Sequence, residues 1–292
     1  MIDHALSAAR LNLELGRYSD ALKPLRVFER RAEKHADRLL DSHLLRMRLA
    51  LRMNEYKLLL ELSDKIAEEA PNNIRAQFER ERILNTALRD HGDTEKLPAS
   101  IDRLLSLQEG LPNGGGSAFH RALSRSLLKV GDIRGALDSS RKGLELAHDE
   151  DDIRAFGNAS LALAEALRYA HEERQSVEHY LTGIEIGRDI GNRDSELWCW
   201  LGLACAHLQI GEREEAESAL DVARGLTTDP GFKHPLETAH VGLIQALARM
   251  LSKSPVNFRD VLKPYSDLGI GWPEQFLSET QSKGELPRAI PI

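Results

Sequence analysis

The sequence has few of the residues that would favour a β-rich, disulfide-bonded or membrane-spanning protein. Aromatic residues make up 5% of the 292 positions, and Cys199 and Cys205 are the only cysteines. Six positions apart on one helix, these cysteines lie about 240° apart around the axis and cannot pair. No apolar run approaches the roughly 20 residues of a membrane span, and the N-terminal segment lacks a signal-peptide core. We therefore expect a cytoplasmic protein with buried, reduced cysteines.

The charge distribution bears on the kind of partner. A net charge of −7 argues against a protein that coats nucleic acid or an anionic membrane. The charge is uneven, because residues 1–60 contain 12 Lys/Arg against 8 Asp/Glu. Residues 1–60 therefore carry a charge of +4, and the remainder of the chain carries −11.

Motifs that would indicate catalysis or metal binding are incomplete. The glycines at 114–116 lack the Lys-Ser/Thr of a phosphate-binding loop and a preceding strand. The HEERQ segment at 171–175 has Gln175 where a zinc-protease helix needs a second histidine. The acidic segment at 148–152 lacks the ligand spacing of a calcium loop. We predict no catalytic residue, metal site or cofactor, and hence a protein that is not an enzyme.

A pattern of two apolar helices around a glycine recurs along the chain. In the three most complete copies the glycine is followed two residues later by Tyr, Ile or Arg, and three residues after that by alanine. The glycines are Gly16, Gly131 and Gly211, and the alanines are Ala21, Ala136 and Ala216. Weaker copies place Leu59, Ser100 and Val177 at the alanine position, so the copies repeat every 36 to 41 residues.

This period predicts stacked helical hairpins. Glycine can end the first helix at positive φ, and a small residue early in the second helix lets the two backbones cross closely. One hairpin cannot bury its apolar face alone, so consecutive copies must stack. We predict an all-α, right-handed α-solenoid of about seven hairpins, with three in residues 1–112 and four in 117–268. Residues 269–292 are expected to form a capping helix and a loose tail, and the glycines of 111–119 are expected to form a hinge.

The repeat resembles the tetratricopeptide repeat family. The family motif is complete at Gly16, Tyr18 and Ala21, and partly present at Tyr56 and Pro71. The resemblance covers about residues 3–228, with a divergent hairpin at 235–268. The units are longer than the family's standard repeat, as in the bacterial arrays of signalling (STAND or NLR-like) ATPases and regulators. The resemblance thus implies a signalling or sensor segment, which could belong to a larger bacterial protein.

In this family the first helix of each unit lines a concave groove, and the resemblance implies which side chains face a ligand. An arginine recurs at one position, as Arg10, Arg48 and Arg125, with Arg82 or Arg89 in the third unit. The groove is expected to become apolar towards the C-terminal end. The candidate ligand-binding residues are Arg10, Arg48, Arg52, Arg82, Arg89, Arg121, Arg125, Tyr169 and Trp198.

These features predict a protein-interaction scaffold. Its partner would be a peptide or protein whose acidic groups meet the arginines and whose apolar anchor lies near Tyr169 and Trp198. One alternative is that the arginines are solvated or paired with neighbouring carboxylates such as Asp3, Glu14 and Asp41. Another is that the same arginines bind nucleic-acid phosphates, which the net charge disfavours, and the last is an enzyme whose site is not visible in the sequence. The oligomeric state stays open.

Overall fold

The protein folds entirely into helices over the part of the chain that its computed structural model describes, namely residues 2–14, 17–32, 36–228, 235–283 and 290. Fifteen α-helices and one 3-10 turn occur there, and no strand does. The helices are α1 (Ile2–Glu14), α2 (Tyr18–Ala32), α3 (Ala36–Arg52), α4 (Tyr56–Glu69), α5 (Ile74–His91), α6 (Leu97–Gln108), α7 (Gly116–Lys129), α8 (Ile133–Asp149), α9 (Ile153–Tyr169), α10 (Glu173–Asp189), α11 (Arg193–Ile210), α12 (Arg213–Thr227), α13 (Pro235–Leu251), α14 (Phe258–Asp267) and α15 (Trp272–Lys283). The 3-10 turn spans Pro112–Gly115.

Consecutive helices pair into seven hairpins followed by a single helix, as the sequence predicts. The chain divides into two compact units: residues 1–89 with 94–115, and residues 90–93 with 116–292. Unit 1 contains the hairpins from α1 to α6, and unit 2 contains the hairpins from α7 to α14 and helix α15. Within the described residues, no helix combines the length and apolar character that crossing a membrane requires.

The turns inside the hairpins explain the recurring glycine. Gly211 ends α11 at φ 85°, and its N–H donates to the carbonyls of His207 and Leu208. Gly131 takes φ 84° after α7. Asn54 and His171 adopt the same left-handed region after α3 and α9, at φ 57° and 62°, at the cost in strain that a side chain brings. Gly16, the glycine of the first hairpin, lies outside the described residues.

The alanine position lies three residues into each second helix. Ala21, Ala136 and Ala216 occupy it and are fully buried. In the fifth hairpin, α10 begins at Glu173, so the equivalent residue is Ser176, which is also fully buried. The assignment of Val177 to this position was therefore wrong by one residue. With Ser176 as the reference residue, each repeat position assigned to α9 moves one residue towards the N-terminus.

Within each unit, the first helices of successive hairpins pack on one another and form a layer. Helix α1 packs on α3 in unit 1, and in unit 2 α7 packs on α9, α9 on α11, and α11 on α13. Close approach between neighbouring hairpins depends on small residues, because a Cβ on Gly202 of α11 would collide with the ring of Tyr180 on α10. The ligand-facing positions predicted from the sequence all lie on helices of this layer.

The described part of the C-terminal segment consists of helices α14 and α15 and of Ile290. Helix α14 begins after Asn257, whose side chain caps the N–H of Arg259, and it continues through Pro264 to Asp267. Helix α15 follows at the predicted capping position. Ile290 is fully buried, and the other residues of the expected loose tail, 284–289 and 291–292, lie outside the described part of the chain. Its burial depends on contacts with helices far away in the sequence.

Candidate functional site

Two of the predicted arginines of unit 1 share one carboxylate. Arg82 Nη2 lies 2.7 Å from Glu79 Oε2, and Arg48 on α3 donates to the same oxygen. Burial raises the pKa of Glu79, but the charges of Arg82 and Arg48 and their hydrogen bonds lower it by more, so that the pKa is about 2. The carboxylate is therefore ionised at neutral pH. The three groups together carry one surplus positive charge.

The remaining arginines of unit 1 differ in exposure. Arg10 lies 3.5 Å from Asp41, and both side chains are about half exposed, at 53% and 56%. Arg52 is half-buried at the end of α3, and Arg89 is buried near the end of α5. The side chains of Asp3 and Glu14, named above as possible partners, lie outside the described set.

The recurring arginine of the third hairpin is Arg89. Arg10 and Arg48 each precede the alanine position of their hairpin by eleven residues, and Arg89 precedes Ser100 by the same interval. Ser100 lies three residues into α6, which establishes that register. Arg82 lies two turns earlier on α5. Hence Arg10, Arg48 and Arg89 occupy one equivalent position in three successive first helices.

A buried polar network in unit 1 had no signal in the sequence. The carboxylate of Glu81, on α5, is fully buried and accepts hydrogen bonds from Ser100 Oγ at 2.6 Å and Arg103 Nε at 3.0 Å. Asn85 donates to the same serine hydroxyl at 3.1 Å. Since both carboxylate oxygens have partners, this network joins α5 to α6 and is structural.

In unit 2, Arg125 forms a two-point ion pair with Glu165. The guanidinium Nε lies 2.7 Å from Glu165 Oε2, and Nη2 donates to Oε1 at 2.8 Å. The guanidinium carbon also lies 5.8 Å from the ring centre of Trp198. Glu165 precedes Ser176 by eleven residues, so it occupies in α9 the position that Arg125 occupies in α7. Arg121 is half-buried one turn before Arg125.

Tyr169 and Trp198 are each partly built into the core. Tyr169 is half-buried and packs against Leu128 and Ala166. Trp198 is half-buried, with its ring 5.4 Å from that of His240 at a steep angle. Each aromatic therefore presents only part of its surface to a ligand.

Arg168 is the residue that the sequence did not single out. It is fully buried, and its Nε donates to the hydroxyl of Tyr180 at 3.3 Å. Its Nη1 donates to Gln209 Oε1 at 3.1 Å and to the carbonyl oxygen of Ile290 at 3.0 Å. The register set by α10 places Arg168 eight residues before Ser176, at one of the positions for which the family resemblance implies contact with a ligand. The register based on Val177 instead assigned that position to Tyr169.

An aromatic cluster surrounds His240 on α13. Its Nδ1 lies 2.7 Å from the hydroxyl of Tyr265, and its ring lies 6.2 Å from that of Trp272. Burial lowers the pKa of His240 to about 3, with Glu237 raising it and Lys129 lowering it in smaller measure. His240 is therefore neutral at physiological pH. Lys129 Nζ lies 5.5 Å from the ring centre of Trp272.

The cysteines are buried and unpaired, as predicted. Burial raises the pKa of Cys205 to about 12 and raises that of Cys199 as well. Both thiols are therefore protonated at neutral pH and poor nucleophiles. Within the described part of the chain, no group of three or more His, Cys, Asp or Glu side chains could hold a metal ion.

Comparison with known proteins identifies solved structures of similar fold. No family model matches the sequence, and no curated protein is significantly similar to it. Among solved structures, a Rap protein complexed with Competence and Sporulation Factor superposes with a TM-score of 0.65 at 12% identity, over 91% of this chain and 77% of that protein. The apo form of RapI gives a TM-score of 0.54 at 12% identity, over 97% of this chain and 85% of RapI.

A third similar structure is a signal transduction ATPase with numerous domains (STAND) with a tetratricopeptide repeat sensor, from Pyrococcus horikoshii. It superposes with a TM-score of 0.54 at 12% identity, over 96% of this chain. This chain spans 44% of the length of that protein. Identities this low establish the fold alone. The chain has the helical-repeat fold of tetratricopeptide solenoids, as its repeated hairpins predict.

Proposed function

We propose that this protein is an interaction module that binds a peptide or protein segment along its layer of first helices. The observation that carries the proposal is the equivalent position of Arg10, Arg48 and Arg89 in three successive first helices. Arginine forks bind carboxylates with two parallel hydrogen bonds, so a row of them suits a partner with spaced acidic groups.

Unit 1 offers the arginines whose present partners are easiest to exchange. Arg10 and Asp41 are half exposed and 3.5 Å apart, and such pairs contribute little to stability. A carboxylate of the partner can therefore replace Asp41 at small cost. At Arg48 and Arg82, two guanidinium groups hold one carboxylate, which leaves a positive charge for a second one.

Unit 2 offers a different surface. Arg125 and Glu165 are bound to each other at two points, and their side chains are only 22% and 8% exposed. We therefore assign this pair to holding α7 against α9 rather than to the partner. The half-buried rings of Tyr169 and Trp198 remain the proposed contacts for an apolar side chain of the partner.

The comparisons support a binding role. The Rap protein that resembles this chain over most of its length was solved complexed with Competence and Sporulation Factor. The STAND protein carries its tetratricopeptide repeats as a sensor, and this chain covers less than half of it. We accordingly propose a sensor or adaptor role in signalling, alone or as part of a longer protein.

The test is capture of partners from a lysate of the native host by the immobilised protein, treated with nuclease and analysed by mass spectrometry. The site variant replaces Arg10, Arg48 and Arg52 with glutamine. The matched control replaces the exposed Arg26, Arg30 and Arg31 of α2 with glutamine, which removes the same charge from the same unit. We expect the site variant to lose at least tenfold of the enrichment and the control to retain it.

Equal recovery of partners by the wild type and the site variant would show that these arginines do not contribute to partner binding. Enrichment that disappears on nuclease treatment and falls steeply with salt would favour nucleic acid as the ligand instead.

A further inference from the structure

A residue from the C-terminal end of the chain occupies the interior of unit 2. Ile290 is fully buried, and its carbonyl oxygen accepts a hydrogen bond from Arg168 Nη1 at 3.0 Å. The two residues are 122 positions apart in the sequence. The contact is made by the main chain of Ile290 and by a side chain that is itself fully buried.

The contact lies on the layer of first helices. Arg168 belongs to α9, and Gln209, which accepts from the same guanidinium nitrogen, belongs to α11. Gln209 precedes Ala216 by seven residues and Arg168 precedes Ser176 by eight, so they occupy adjacent positions of the repeat. Both positions belong to the set that the resemblance to tetratricopeptide repeats implies for ligand contact. Ile290 therefore lies where a partner segment would lie.

The chemistry of the contact is that of peptide recognition. A hydrogen bond to a main-chain carbonyl is available from any extended peptide, whatever its sequence. The side chain of Ile290 joins the apolar cluster that contains Tyr265 and Leu277, which selects a branched aliphatic residue. Arg168 Nη2 is buried without a hydrogen-bond partner among the described residues, so a second acceptor can be bound there.

We propose that Arg168, Gln209 and the adjoining apolar cluster form a peptide-binding site that the chain's own Ile290 fills. Its ligand is an extended peptide that places a branched aliphatic side chain in the cluster and a main-chain carbonyl on Arg168. This site rests on the proposed function in one respect, namely that the partner is a peptide segment. A partner must displace Ile290, so Ile290 acts as an autoinhibitory contact.

The covalent connection makes the tail a strong competitor. A tethered segment acts at an effective concentration on the order of millimolar, so a free peptide of equal affinity binds only a small fraction of the wild-type protein. Removing Ile290 from the site should therefore unmask binding without changing the site itself.

The experiment measures binding of a fluorescein-labelled peptide, GELPRAIPI, which is the sequence of residues 284–292. Fluorescence anisotropy is recorded with the full-length wild type and with Ile290→Asp, in which a buried carboxylate disfavours the occupied state. The matched control is Ile153→Asp, which adds the same charge at an isoleucine that is 56% exposed. We expect Ile290→Asp to bind the peptide at least tenfold more tightly than the wild type or the control.

A second variant tests the site itself. Adding Arg168→Met to Ile290→Asp should abolish the gained binding, and adding Gln209→Leu, a milder change, should weaken it. The proposal is overturned if Ile290→Asp and the wild type bind equally, or if binding persists after Arg168→Met. It is also overturned if Ile290→Asp lowers the unfolding midpoint with no gain in peptide affinity, since Ile290 would then be only a core residue.

Folding is checked by circular dichroism. If Ile290→Asp is not helical, Ile290→Ala replaces it and should give a smaller gain in the same direction, and the absence of any gain overturns the proposal. The assay contains no external partner, so its outcome is separate from the lysate capture. Peptide binding without a captured partner would support the peptide site and contradict the proposed function. A captured partner without peptide binding would support the proposed function and contradict the peptide site.

Discussion

Arg125 and Glu165 occupy the same position of two successive first helices and bind each other at two points, at 2.7 and 2.8 Å. The repeat thus places an acid in α9 where α7 has a base, and the two charges balance each other within unit 2. The guanidinium carbon of Arg125 also lies 5.8 Å from the ring centre of Trp198.

We expect Arg125→Met to lower the free energy of unfolding by about 3 kcal/mol, because Glu165 would be left in a largely buried place without its ion-pair partner. The double variant Arg125→Met/Glu165→Met should recover most of the loss, because both charges are removed. Urea unfolding followed by circular dichroism measures both. Lys142→Met is the control, because its pair with Glu145 is exposed and should be worth about 0.5 kcal/mol or less. A double variant as unstable as the single one would contradict this account.

The low pKa of Glu79 predicts a dependence of stability on pH. The folded-state pKa, about 2, lies below the ordinary value of 4.5, so the carboxylate stabilises the fold above pH 4.5 and loses this effect as pH falls towards 2. We expect Glu79→Gln to cost about 3 kcal/mol at pH 7 and progressively less below pH 4.5. Urea midpoints over this range measure it, with Glu61→Gln, at an exposed site on α4, as control. A cost that is independent of pH would argue against the charged triad.

His240 should produce a pH dependence in a higher window. Its pKa falls from 6.5 to about 3 on folding, so below pH 6.5 the unfolded chain binds a proton that the folded chain does not. The free energy of unfolding therefore decreases as the pH is lowered from 6.5 towards 3. His240→Phe should be less stable at pH 7.5 by about 1–3 kcal/mol, since the buried Tyr265 hydroxyl loses its partner. Its stability should then vary less than that of the wild type as pH falls below 6.5. Parallel curves for the two proteins would show that His240 does not titrate as described, and the exposed His148→Phe serves as control.

Two glycines should respond to alanine with opposite signs. Gly211 has φ 85° and no atom within 4 Å of the place that a Cβ would take, so Gly211→Ala should cost about 1–2 kcal/mol through backbone strain alone. Gly225 lies inside α12 with equally open surroundings, and Gly225→Ala should stabilise the protein by about 0.5–1 kcal/mol. Thermal unfolding of both variants tests this. The same sign for both would contradict the role of Gly211 as the end of α11.

The sequence sufficed for the hairpins because their signals are local. The glycine, the small residue five positions later and the apolar periodicity all act within one hairpin, so the turns at Gly131 and Gly211 could be placed from the chain alone. The fifth hairpin lacks both signals, since His171 replaces the glycine and Ser176 the alanine. Because polar residues stand at both the glycine and the alanine position, the sequence did not reveal the register of the fifth hairpin. That register is set by the packing of α10 against its neighbours.

What the sequence determined by itself is the number and order of the helical hairpins, because capping and amphipathic periodicity depend on residues a few positions apart. Only the tertiary structure decided which arginines are paired and which residue fills the interior of unit 2. The contacts of Arg125 with Glu165 and of Arg168 with Ile290 join positions 40 and 122 residues apart. Such contacts depend on how the hairpins stack, because stacking selects the side chains that meet in the layer of first helices.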